Sequence, residues 1–93
     1  MKPGAVLINT ARGGLVDERC LYDALKSGFL SAAAVDVLAT EPPAHDSPLT
    51  TLDNCIITPH MAWSPQEMRQ IIIDVLADNL QDWLHGGRLN RVD

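Results

Sequence analysis

The sequence predicts an α/β fold built on a parallel sheet. Two observations carry this expectation and a third bounds it. First, the elements alternate: an apolar run at 4–9, a helical pattern after it, an apolar run at 30–38, a long link, an apolar run at 55–58 and a closing helical pattern. Second, the runs are continuously apolar, as strands of a parallel sheet covered on both faces are. Third, three strands and two helices cannot cover both faces of a sheet. The closing helix also carries more apolar surface than 93 residues seem able to bury. The chain is therefore expected to be a piece of something larger, or to oligomerise.

The first strand is read over 4–9, with Ala5 to Ile8 as its apolar run, and "NTARGG" is the small, polar turn after it. "VDERCLYDALKSG" reads as a helix. Asp17 is its N-cap, Val16 and Leu21 stand at the two positions of a hydrophobic staple, Lys26 suits the negative C-terminal end, and Gly28 stops it. "LSAAAVDVL" reads as the second strand. Alanine is a poor strand former, so a helix is the competing reading there. "ATEPPAHDSPLTTLDN" is a long loop with no clear helix, a kind of connection that often carries function. Residues 55–58 form the third strand. Ser64-Pro65-Gln66-Glu67 has the form of a capping box with Pro65 at the first helical position. The helix from 65 to about 85 places Met68, Ile71, Ile72, Val75, Leu76, Leu80, Trp83 and Leu84 at the helical period, and Gly86-Gly87 ends it. Two segments are expected: 1–63 as the sheet-bearing part, and 64–93 as a helix and tail that pack on a region outside this chain.

Composition narrows the function classes. The formal net charge of -5 argues against nucleic acid as a partner, because phosphate binding needs a basic surface. Cys20 and Cys55 have no metal-ligand spacing and read as small core residues in a reducing compartment. "MKPGAVLINT" is unlike a secretory leader, and no apolar run approaches the roughly 20 residues that span a bilayer. A cytoplasmic location and no membrane partner are the expectation.

The reactive side chains follow the strands. Arg12 comes just after the first, Asp36 stands near the end of the second with Glu41 beyond it, and His60 follows the third. In an open parallel sheet ligands bind outside the carboxyl ends of the strands, so all four should meet on one edge. The set suits reduction of a 2-keto acid. The fork of an arginine can hold the substrate carboxylate with two hydrogen bonds. An imidazole, which titrates close to neutral pH, can give a proton to the carbonyl oxygen as hydride reaches the carbon. A carboxylate beside it favours the charged ring and fixes its orientation; Glu41 is the candidate. Asp36 could accept a hydrogen bond from a cofactor amide. Each residue also has a plainer reading. Arg12 could cap strand carbonyls, Glu41 could be an exposed loop acid, Asp36 could cap a neighbouring turn, and His60 could be a helix-entry residue. His45 and Asp46 lack ligand spacing with His60, so no metal is expected. His85 is expected to interact with the dipole at the end of the last helix.

Three motifs, "MKPGAVLINTARGGLVDE", "AAAVDVLATEPP" and "IITPHMAW", resemble the C-terminal half of the nucleotide-binding domain of the NAD-dependent D-isomer-specific 2-hydroxyacid dehydrogenases. "PHMAW" looks most like the glycerate dehydrogenase/hydroxypyruvate reductase and glyoxylate reductase branch. The resemblance implies the C-terminal part of a Rossmann-like doubly wound sheet. It implies Arg12 as the substrate-binding arginine, Glu41 as partner of the catalytic histidine and His60 as general acid/base. It places Asp36 at the nicotinamide end of NAD or NADP, lined also by Thr10, Ala11, Arg12, His60, Met61, Ala62 and Trp63. The expected partner is a small 2-hydroxy or 2-keto acid, and the intact enzyme is expected to be a homodimer. Leu38 stands where an aromatic is usual. The Gly-rich pyrophosphate turn and the residue that selects NAD or NADP are not in this chain, and "ARGG" lacks the spacing to replace that turn. Two other readings remain beside the enzyme: an NAD-responsive binding module without turnover, and an inactive truncated remnant.

Overall fold

A computed structural model of the chain describes residues 1–43 and 47–93; His45 and Asp46 lie outside the described residues. Three parallel strands, β1 (Ala5–Asn9), β2 (Leu30–Val35) and β3 (Cys55–Ile57), form one sheet in the order β1-β2-β3. Helix α1 (Glu18–Lys26) connects the first two strands, and α2 (Gln66–Leu84) follows the third. The chain divides into two compact units, 1–62 and 63–93.

In the first unit the strand register explains the core. Leu7 pairs with Ala33 and Asn9 with Val35, while Ala33 and Val35 pair in turn with Cys55 and Ile57. These residues share one sheet face. Leu21 and Leu25 of α1 join Leu30, Ala33, Val35 and Leu49 there in a single buried cluster, with Val16 and Leu7 against it. The strand reading of the alanine-rich run holds because small side chains let α1 lie close on the central strand. On the opposite face Val6, Ile8 and Ile56 are exposed, Ile8 by 72%. The sheet of this unit is thus covered on one face, as a count of three strands and so few helices requires.

α1 starts and stops as its sequence predicts. The Asp17 side chain accepts from the Cys20 backbone N–H at 2.9 Å. Gly28 takes a φ of +75°, a left-handed conformation that costs glycine nothing. The long loop differs from expectation. It contains a 3-10 turn, Pro48–Thr51, whose Leu49 is fully buried. Pro48 pre-sets the turn, and the Thr50 and Thr51 hydroxyls donate to the Ser47 and Pro48 carbonyls at 2.7 Å. The second strand ends at Val35 rather than 38; the Asp36 N–H still donates to the Asn9 carbonyl at 2.9 Å, while its side chain bonds the segment after β3.

The second unit is α2 and its tail. No residue of α2 is buried. The capping box does not form: Pro65 is itself the N-cap, with extended backbone and no side-chain cap bond, so Ser64 falls outside the frame. At the other end the His85 ring donates through Nδ1 to the Gln81 carbonyl at 2.7 Å, the helix-end contact expected of it. The Asp82 carboxylate accepts from the Leu89 N–H at 2.7 Å and turns the tail back on its own helix. No helix among the described residues is long and apolar enough to cross a membrane.

Candidate active site

The carboxyl ends of the strands present the predicted side chains. Asn9, the last residue of β1, is buried and shapes the turn after it. Its amide donates to the Arg12 carbonyl at 2.9 Å, and its side-chain oxygen accepts from the Ala11 N–H at 3.1 Å. This side-chain-to-backbone turn exposes Thr10, Ala11 and Arg12 just past the strand. The Arg12 guanidinium donates through Nη1 to the Ala11 carbonyl at 2.7 Å.

Asp36 is 5% exposed and works as a clamp. Its Oδ1 accepts from the Thr58 hydroxyl at 2.5 Å and the Met61 N–H at 2.9 Å, and its Oδ2 accepts from the Ala62 N–H at 2.8 Å. Together these bonds hold the segment after β3 in a tight turn with His60 at its centre. His60 has a φ of +52°. That left-handed conformation is uncommon outside glycine, although His, Asn and Asp reach it more readily than other residues. Such backbone persists where surrounding bonds over-determine it, and it recurs at functional sites. The Thr58 hydroxyl above all holds the Asp36 carboxyl below the usual range; burial opposes it, and the Ala62 and Met61 amides add to the lowering.

Glu41 reaches the same place from the loop after β2. Its Oε1 accepts from the Leu38 N–H at 2.9 Å, and its Oε2 lies 2.7 Å from His60 Nδ1. The Leu38 amide and then the His60 ring lower its pKa, so it is a carboxylate at neutral pH. A carboxylate can only accept, so Nδ1 carries the proton of this bond. Asp36, Leu38, Glu41, Thr58 and His60 line a cavity of about 360 Å³, with Pro42 and Pro43 also in its wall.

Asp36, Glu41 and His60 therefore come together. Arg12, Thr10 and Ala11 sit at the end of the neighbouring strand and do not line this cavity. Met61 and Ala62 contribute backbone N–H groups to Asp36, and Trp63 belongs to the second unit. The plainer readings of two residues are visible as contacts: Arg12 caps a backbone carbonyl, and Asp36 caps a turn. Sequence reasoning missed Asn9 and Thr58, although an Asn closing a strand is a turn-former by type. It also missed Gly13, which is buried where a Cβ would collide with the Leu38 carbonyl and stand 2.5 Å from the Ala39 nitrogen.

Comparison with known proteins decides the family. Residues 1–62 match the model of the D-isomer-specific 2-hydroxyacid dehydrogenase NAD-binding domain. The chain belongs to this family. It is 45% identical over 93 residues to a hydroxypyruvate reductase of Blautia hydrogenotrophica, covering all of this chain and 29% of that protein. It is 48% identical over 95 residues to a glycerate dehydrogenase of Methylorubrum extorquens, covering all of this chain and 30% of that protein. Among solved structures, a D-isomer-specific 2-hydroxyacid dehydrogenase of Xanthobacter autotrophicus, in complex with NADPH and MES, superposes with a TM-score of 0.74. It is 37% identical, over all of this chain and 38% of that one. The chain thus spans about three-tenths of the length of these curated 2-hydroxyacid dehydrogenase relatives.

Proposed function

We propose that this chain supplies the proton-transfer residues and the nicotinamide end of the site in an NAD(P)-dependent D-2-hydroxyacid dehydrogenase acting on a small 2-keto acid such as hydroxypyruvate or glyoxylate. The observation that carries the reading is the 2.7 Å Glu41–His60 contact beside the carboxyl end of a parallel sheet, in a cavity of about 360 Å³. The residues present fit the nicotinamide end of the cofactor. A carboxylate offers about four acceptor sites, and three on Asp36 are filled. The fourth suits a carboxamide N–H. They do not fit the pyrophosphate: Gly13, the buried glycine of "ARGG", is used for close packing on Leu38.

When bound, NAD(P)H supplies the hydride. Arg12 binds the substrate carboxylate, a match of planar fork to planar anion. The imidazole of His60 gives a proton to the carbonyl oxygen as the alkoxide forms, and takes it back in oxidation. Glu41 fixes the ring's tautomer and balances the charge on the imidazolium. Substrate class is supported by two relatives, a hydroxypyruvate reductase and a glycerate dehydrogenase. The apolar faces left open in both units are read as surfaces covered by parts of the intact protein outside this chain.

The test is turnover of the intact protein, followed as NADH and NADPH oxidation with hydroxypyruvate and with glyoxylate. His60→Ala should lower kcat by about 10²–10⁴-fold with little change in cofactor affinity, the usual share of general acid catalysis. Arg12→Ala should act mainly by raising the KM for the keto acid. Wild-type turnover in either variant would sink the assignment.

A further inference from the structure

The contact that aims Glu41 begins on a different element. Glu18, the first residue of α1, is half-buried, and its Oε1 accepts from the Ala39 N–H at 2.7 Å across 21 residues of sequence. Ala39 directly follows Leu38, whose N–H is held by Glu41 Oε1 at 2.9 Å. The other oxygen of Glu41 meets His60 at 2.7 Å. A line of hydrogen bonds therefore runs from α1 through the Leu38-Ala39 backbone to the His60 ring. Gly13 presses on that same peptide from the 3-10 turn Gly13–Leu15.

We infer that Glu18 is a positioning residue, whose carboxylate fixes the Leu38-Ala39 peptide so that Glu41 is aimed at His60. The inference rests on Glu41 and His60 being the proton-transfer pair. Without the Ala39 anchor, the Leu38-Ala39 peptide loses its hydrogen bond to α1. The Leu38 N–H then swings relative to Glu41, and the 2.7 Å contact to His60 is populated only part of the time. A residue at the first turn of a helix has a competing role, interaction of its charge with the positive helix end. The two roles separate by substitution. Glu18→Gln loses the charge and keeps an oxygen that can accept from Ala39, whereas Glu18→Ala loses both.

The readout is the titration of the Glu41 carboxyl, followed by carbon-13 NMR in this chain with Asp36 and His60 tracked alongside, since both face Glu41. In Glu18→Ala the Glu41 midpoint should rise toward the ordinary glutamate value, because the Leu38 and His60 bonds that lower it are loosened. In Glu18→Gln it should stay at the wild-type position. A folded Glu18→Ala with an unmoved Glu41 midpoint overturns the inference, as does an equal shift in both variants. Should Glu18→Ala not fold, the wild-type chain decides. The Ala39 amide proton should follow the titration of Glu18 and the Leu38 amide that of Glu41, and an Ala39 amide indifferent to Glu18 overturns the inference. None of these readouts is turnover, so failure of the dehydrogenase assignment would show in His60→Ala kinetics and leave them untouched.

Discussion

Gly13→Ala tests how tightly the turn after β1 is locked to the loop that carries Glu41. The added Cβ would collide with the carbonyl carbon and oxygen of Leu38 and lie 2.5 Å from the Ala39 nitrogen, where real Cβ contacts essentially never fall below 3.0 Å. All three obstructing atoms are backbone, so no side-chain rotation relieves the clash. Even to reach that 3.0 Å floor the Leu38-Ala39 peptide must retreat by about 1 Å, against the bond from its own N–H to Glu18 and the bond from the preceding Leu38 N–H to Glu41. Overpacking costs about 1–3 kcal/mol where neighbours can adjust, occasionally more. Here the upper end, about 3 kcal/mol, is expected. The stabilisation that alanine gives by restricting the unfolded chain, about 0.4–1 kcal/mol, offsets only part of it. For a domain of this size each kcal/mol moves Tm by roughly 4–8 °C, so a net loss of about 2 kcal/mol lowers it by roughly 8–16 °C. Gly14→Ala is the control. It is the adjacent position with the same change in the unfolded chain, and its Cβ meets nothing within 4 Å. Thermal unfolding by circular dichroism should place the Gly14 variant near wild type and the Gly13 variant well below. Equal midpoints for the two would refute the close-approach argument.

Other outcomes follow from the same contacts. Leu49→Ala removes the one fully buried large side chain among the described residues, held by a loop and not by regular structure, and should cost about 2–5 kcal/mol in urea unfolding; a loss below about 1 kcal/mol would show that the 3-10 turn is not a core anchor. Acid should destabilise the chain through three carboxyls held below their ordinary pKa: Asp17 by the Cys20 N–H, Asp36 by the Thr58 hydroxyl and Glu41 by the Leu38 N–H. A depressed folded-state pKa gives stability that is full above the unfolded value and is lost as pH falls through the folded one. The urea midpoint should therefore be flat between about pH 5 and 7 and drop below about pH 4; an unchanged midpoint at about pH 3 would contradict these assignments.

What the sequence made legible was local. Asp17 and Gly28 bracket α1 because a cap acts within three or four residues, and both ends formed as read. The parallel sheet and the edge on which Arg12, Asp36, Glu41 and His60 emerge followed from alternation, since a parallel sheet sends every strand end to one side; the order of its strands is a finding of the structure. The box at Ser64 failed for a local reason too: Pro65 adopted extended backbone and stood ahead of the helix.

The contacts that give the site its geometry were not legible, because they join residues remote in sequence. Thr58 meets Asp36 across 22 positions, Met61 and Ala62 across 25 and 26, and Ala39 meets Glu18 across 21. No periodicity encodes such pairs. Their effect is specific. Asp36 read as a cofactor contact spends three acceptor sites on the turn after β3, and that turn holds His60 at a positive φ. The Glu41 carboxylate divides its oxygens between its own loop and the His60 ring. Two acids thus constrain one imidazole, Asp36 through the Thr58 hydroxyl before it and the Met61 and Ala62 N–H groups after it, and Glu41 through Nδ1. Replacing Asp36 by Asn keeps the size but turns one acceptor into a donor facing backbone N–H groups or the Thr58 hydroxyl. The turn that holds His60 at its positive φ should then loosen.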